Sequence, residues 1–201
     1  GSLTRVKLYN VPLSADQMKT FSTFAAQKSL SSLTITGRIP DKTAFDVLIE
    51  LLPRMPQLMH LSLMGHDYLE TRLDVFSHLP HLTKLNLEGN SIKSLDLQTL
   101  VSKLPPTLTH LYLKGNPLMT GPLSDSSHHG RDKLGINRLA EYIAATPTLT
   151  YVSVPQDAFK EVICKWKTSN FSRQQGQAPL YVDITDGSGR VVAIDGAMAS
   201  Y

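Results

Sequence analysis

A chain of 201 residues, 41% hydrophobic and 18% charged, holds enough apolar material for one sizeable core and argues for a single domain, 1–201. Twenty Lys and Arg against seventeen Asp and Glu leave +3, spread without a run of like charge; a dedicated nucleic-acid binder would be more basic, and no apolar run approaches the roughly 18 residues that cross a bilayer. Cys164 is the only cysteine, which excludes an internal disulfide framework and favours a reducing, cytoplasmic setting.

The chain opens Gly1-Ser2 without Met, as after a cleaved tag. One phrase then recurs six times: Leu3-x-x-Val6-x-Leu8, Leu30-x-x-Leu33-x-Ile35, Leu58-x-x-Leu61-x-Leu63, Leu82-x-x-Leu85-x-Leu87, Leu108-x-x-Leu111-x-Leu113 and Leu149-x-x-Val152-x-Val154. The leading residues lie 27, 28, 24, 26 and 41 apart. In each phrase the last two apolar residues are two apart, the spacing of one face of a short strand. Between phrases the period becomes helical: Phe45, Leu48, Ile49, Leu52, then Leu97, Leu100, Val101, Leu104, then Phe159, Val162, Ile163, Trp166. Ser14 with Gln17 marks a capped helix start, and Pro56, Pro80, Pro106 and Pro147 each stop a helix two residues before the next leading Leu. The expected unit is strand, turn, helix, proline, strand. The long 41-residue spacing holds an insertion, 119–133, rich in Gly, Ser, Pro and His. Downstream, Leu180 to Thr185 alternates, Asp186 to Gly189 turns and Arg190 to Ile194 resumes, which reads as a hairpin. Leu180 falls 31 residues after Leu149, so its strand is expected to extend the repeat sheet, with the second strand covering the edge.

These phrases resemble the leucine-rich repeat family, L-x-x-L-x-L-x-x-N, and their length resembles its ribonuclease-inhibitor-like helical branch. Leu82 to Asn90 and Leu108 to Asn116 match in full, whereas Val11, Arg38, His66 and Asp157 stand at the asparagine position elsewhere, so the buried amide ladder is expected to be incomplete. The resemblance implies an α/β fold: a right-handed solenoid or horseshoe with a concave parallel sheet, convex helices, six repeats over 3–168 and a C-terminal capping β-hairpin within 169–201.

Alternation places Arg5, Lys7, Tyr9, Ser32, Thr34, Thr36, His60, Ser62, Met64, Lys84, Asn86, Glu88, His110, Tyr112, Lys114, Tyr151, Ser153 and Pro155 on the outer face of the strands. Solenoids use such faces for extended binding. Aromatic and cationic residues make interface anchors, so the expected partner site is His110, Tyr112, Lys114 and Tyr151, continued by Lys84, Asn86, Glu88, Met64 and His60, with the insertion as a wall beside it. Both tyrosines are expected to point to solvent. The basic residues suggest a protein partner with an acidic surface.

Other chemistry is poorly supported. His128 and His129 are loop neighbours that need a third ligand such as Asp125 or Asp132, and His60 and His110 are separated by Lys84's strand, so no metal is expected. Cys164, between Lys165 and Val162-Ile163, lacks a nearby His or Asp and reads as a thiol packed on a helix flank; Trp166 reads as core. The expectation is a non-enzymatic protein-interaction module without cofactor, small-molecule substrate, nucleic acid or membrane. The family resemblance suggests an adaptor, or a bacterial effector acting in host cytoplasm; the alternative is the substrate-recognition part of a larger enzyme such as a ubiquitin ligase.

Overall fold

The computed structural model describes residues 3–120, 133–168, 180–183 and 191–194. All six phrases fall in one sheet, as strands β1 (Arg5–Tyr9), β2 (Ser32–Thr36), β3 (His60–Met64), β4 (Lys84–Asn86), β5 (His110–Tyr112) and β6 (Tyr151–Ser153). They pair in parallel in chain order, and β7 (Leu180–Asp183) continues the series while β8 (Val191–Ile194) pairs antiparallel with β7. Register follows the phrase, with Leu33 beside Leu61, Leu61 beside Leu85, and Leu85 beside Leu111. Because side chains alternate, these leucines all enter the core that the helices cover.

Helices α1 (Ala15–Ala26), α2 (Lys42–Leu51), α3 (Ser94–Val101), α4 (Leu134–Ala145) and α5 (Gln156–Thr168) lie between the strands. The capping box is present: the Gln17 amide donates to Ser14 Oγ, and the Ser14 amide to Gln17 Oε1. Phe45, Leu48 and Ile49 of α2 are fully buried. Between β3 and β4, where the repeat is shortest, the expected α-helix is replaced by two 3-10 segments, Leu69–Thr71 and Leu73–His78. A 3-10 helix rises about 2.0 Å per residue against 1.5 Å for an α-helix, so fewer residues span the same distance while Leu69, Leu73, Val75 and Phe76 still reach the core.

Three stacked features hold neighbouring turns together. The first is amide pairing. Asn90 Nδ2 donates to the Leu63 and Leu87 carbonyls, and Asn116 Nδ2 to those of Leu87 and Leu113. The ladder runs one step further than the asparagines do: His66 is buried, its amide donates to Asn90 Oδ1, and its Nε2 lies 3.2 Å from the Ile35 carbonyl. The second is a hydroxyl ladder at the other end of the strands, in which Thr83, Thr109 and Thr150 each donate to the carbonyl one strand back, Met59, Thr83 and Thr109 respectively. The third is a left-handed residue after each of the first five strands: Asn10, Gly37, Gly65, Gly89 and Gly115. A side chain at Gly115 would lie 3.2 Å from the Gly89 backbone, so that position needs both the positive φ of glycine and its lack of bulk.

Candidate functional site

The face away from the helices carries two columns running the length of the parallel strands. One is Arg5, Ser32, His60, Lys84, His110, Tyr151, Tyr181; the other is Lys7, Thr34, Ser62, Asn86, Tyr112, Ser153, Asp183. Three of the predicted site residues, His110, Tyr112 and Tyr151, meet on β5 and β6. The rings of Tyr112 and Tyr151 lie 5.0 Å apart between centroids, and His110 stacks at 6.2 Å from Tyr112 and 5.7 Å from Tyr151. Such separations are those of attractive ring pairs.

Beneath the rings lies a polar floor centred on Asp183. Its Oδ2 accepts from the Tyr151 hydroxyl at 2.5 Å and from Lys114 Nζ at 2.6 Å. Ser153 Oγ meets Glu88 Oε1 at 3.2 Å, the Glu88 amide donates to Asn86 Oδ1, and Asn86 Nδ2 approaches Met64 Sδ at 3.5 Å. His110 Nδ1 lies 2.9 Å from Thr109 Oγ1. The same hydroxyl lies 2.9 Å from the Thr83 carbonyl. The nine predicted residues therefore form a connected strip from His60 to Tyr151.

Several expectations need correction. Lys114 is no free cation, because Asp183 neutralises it. Ser153 faces the same side as Tyr112 yet is fully covered. Tyr112 and Tyr151 are half-buried and do not simply point to solvent. Burial first, then the neighbouring carboxylates, raises the pKa of both hydroxyls above the usual phenol value. Asp183 was not anticipated. Aligning Leu180 with Leu149 implies a 31-residue offset, but Tyr181 pairs with Tyr151, an offset one residue shorter. A one-residue slip swaps faces, so Val182 takes the core position and Asp183 the helix-free face, where its neighbours bury it. Of the insertion and wall expected at 119–133, Met119 is buried in the core, and 121–132, with Asp125, His128, His129 and Asp132, lie outside the described residues, as does the Trp166 side chain. Cys164 is exposed on α5, not packed on its flank.

His60, His66 and His110 share one electrostatic property. Burial, the largest cause in each, holds their pKa values below 6.5, aided at His60 and His110 by Lys84 between them; at His66 the Ile35 carbonyl and Asp67 oppose it. The unfolded chain thus binds protons more readily than the folded one. Stability should be full above about pH 6.5 and fall as pH drops below it, the depressed folded values setting the lower end of the window. Urea unfolding at pH 7.5 and pH 5 should show the loss. His66→Asn, which places a side-chain amide at the ladder position, should flatten the pH slope; an unchanged slope would place the sensitivity elsewhere.

Residues 56–118 match the family model for leucine rich repeats. The match covers the third, fourth and fifth phrases and supports a leucine-rich repeat protein; with the run of seven parallel strands it fits a solenoid-like fold. Leucine-rich repeat domains commonly mediate protein–protein interaction. No curated protein matches the chain.

Proposed function

We propose that this chain is a non-enzymatic binding module that takes a protein partner on the helix-free face of its sheet, with His110, Tyr112 and Tyr151 as anchors. The half-exposed ring trio carries this reading. Aromatic groups held in place before docking lose little conformational freedom on association, and such groups dominate interface energetics. The polar floor supports the same reading, because the Asp183 bond to the Tyr151 hydroxyl fixes that ring in the free protein. Arg5, Lys7 and Lys84 are exposed along the two columns and join none of the ion pairs among the described residues, which favours a partner with acidic patches.

The test is affinity capture with the wild-type chain, identification of what is held, and titration of that protein against Tyr112→Ala. Loss of a central aromatic anchor should cost about 2 kcal/mol, or roughly thirtyfold in affinity. The double replacement of Tyr112 and Tyr151 should bind still less well and should also melt earlier, because it breaks the contact with Asp183. Undiminished binding by Tyr112→Ala, or a footprint confined to the helices, would overturn the assignment.

A further inference from the structure

The middle of the helix-free face carries a row of donors without an anion among the described residues. Register sets His60 beside Lys84 and Lys84 beside His110, about 4.8 Å from strand to strand, so a lysine stands between two imidazoles. Both rings are half-buried and Lys84 is exposed. Among the described residues, neither the His60 ring nor the Lys84 ammonium has a hydrogen-bond or ion-pair partner, and His110 uses only Nδ1, beside Thr109 Oγ1. Arg5 and Lys7 of β1, on the far side of β2, are cationic as well. The carboxylates of this face are engaged elsewhere: Glu88 meets Ser153, and Asp183 holds Lys114 and Tyr151. Tyr112 and Tyr151, beside His110, keep their protons, because burial raises the pKa of both hydroxyls.

We propose that His60, Lys84 and His110 together seat one carboxylate, an Asp or Glu side chain of the protein partner, and that seating it draws protons onto the two histidines, so the partner is held more tightly in mildly acidic than in neutral solution. The proposal rests on the reading of the helix-free face as the partner site. A carboxylate accepts at two oxygens, so one group above Lys84 is within reach of a ring on either side. In the free protein burial, and then Lys84, disfavours the imidazolium form of both rings. An anion within about 4 to 6 Å acts the other way and favours it. Carboxylate binding and proton binding then strengthen each other by the same factor. Affinity is level in alkaline solution, where the rings are neutral with or without the partner. It climbs as pH falls through the raised values of the complex and levels off below the depressed values of the free protein. The partner's carboxylate, with an ordinary pKa of about 4, stays charged across this window. Permanent cations at all three positions would repel one another across neighbouring strands, whereas histidines take up charge when the anion arrives.

The probe is capped hexaglutamate, with capped hexaglutamine as control, titrated against the whole chain at low salt, with circular dichroism checking the fold at each pH. Hexaglutamate should bind roughly tenfold more tightly at pH 6 than at pH 7.5, and hexaglutamine should show no such gain. In NMR titrations His60 and His110 should protonate at higher pH with hexaglutamate present, whereas His66, sealed in the core, should not move. The double variant H60Q/H110Q should cut the pH effect to about twofold or less, and H60Q alone should remove part of it if the double variant folds poorly. H78Q/H81Q, altered outside the sheet, should keep the effect. The captured partner separates this proposal from the reading beneath it. A partner weakened by Tyr112→Ala but bound equally at both pH values leaves the aromatic site standing and overturns the carboxylate seat. A partner indifferent to Tyr112→Ala yet tightened at pH 6 through His60 and His110 does the reverse. Hexaglutamate binding without a pH effect, an effect that survives H60Q/H110Q, or histidines that respond to inorganic phosphate and not to hexaglutamate would each overturn the proposal.

Discussion

Asn90→Ala should lower the unfolding free energy by about 3 kcal/mol. One amide group holds three main-chain partners in the interior: it donates to the Leu63 and Leu87 carbonyls and accepts from the His66 amide. Alanine would take this partner from the Leu63 carbonyl and the His66 amide where water does not reach, each loss costing about 1 to 3 kcal/mol, while the Leu87 carbonyl keeps its bond from Asn116. For a chain of this size the melting temperature should drop by roughly 10 °C, and urea unfolding would measure the free energy directly. The contrast is Arg38→Ala at the equivalent position two turns earlier. Arg38 is exposed and pairs only with Asp67 at the surface, so its removal should change stability by less than about 1 kcal/mol. Equal losses at the two positions would mean that the ladder is not what ties the turns together.

That contrast shows what the repeat pattern carries and what it leaves open. The leucine spacing determines the sheet because a period of two and a hydrophobic core admit only one register, and all six phrases obey it. His66 is harder to read, since an imidazole at an asparagine position is either exposed or a substitute donor, and only the path of the neighbouring strand decides. The hydroxyl ladder was visible as Leu82-Thr83, Leu108-Thr109 and Leu149-Thr150, and the left-handed turn as a glycine before Arg38, His66, Asn90 and Asn116. Both hide behind the leucine periodicity, because polar main-chain pairing has no hydropathy signature. The 3-10 segments after β3 follow from the 24-residue spacing, but helix type depends on how much distance the residues must cover.

In the candidate site, alternation brought His110, Tyr112 and Tyr151 to one face because their phrases keep the apolar spacing. It could not show that Lys114 is neutralised or that Ser153 is sealed, since both depend on β7, whose register departs from the repeat by one residue. Where the phrase lapses, the pairing of charges across strands becomes illegible, and with it the electrostatics of the face.

Asp183→Ala should therefore act on both stability and binding. The substitution removes the acceptor for the Tyr151 hydroxyl and the counter-ion of Lys114, whose side chain is 23% exposed. An uncompensated charge in a fully buried pair costs about 3 to 5 kcal/mol; because Lys114 retains access to water, about 2 kcal/mol is the expected loss. Asp183→Asn separates the two roles, since its amide oxygen can still accept from Tyr151 while the charge on Lys114 goes unmatched. If the ion pair dominates, alanine and asparagine should destabilise alike; if the hydroxyl bond dominates, asparagine should retain most of the stability. In either case the Tyr151 ring loses its charged anchor, so the ring trio should become mobile and partner affinity should fall even though no residue of the trio has changed. NMR relaxation of the tyrosine ring signals, together with titration of the captured partner, would check this. Rigid rings and unchanged affinity in Asp183→Ala would show that stacking among His110, Tyr112 and Tyr151 is enough to hold the site without its polar floor.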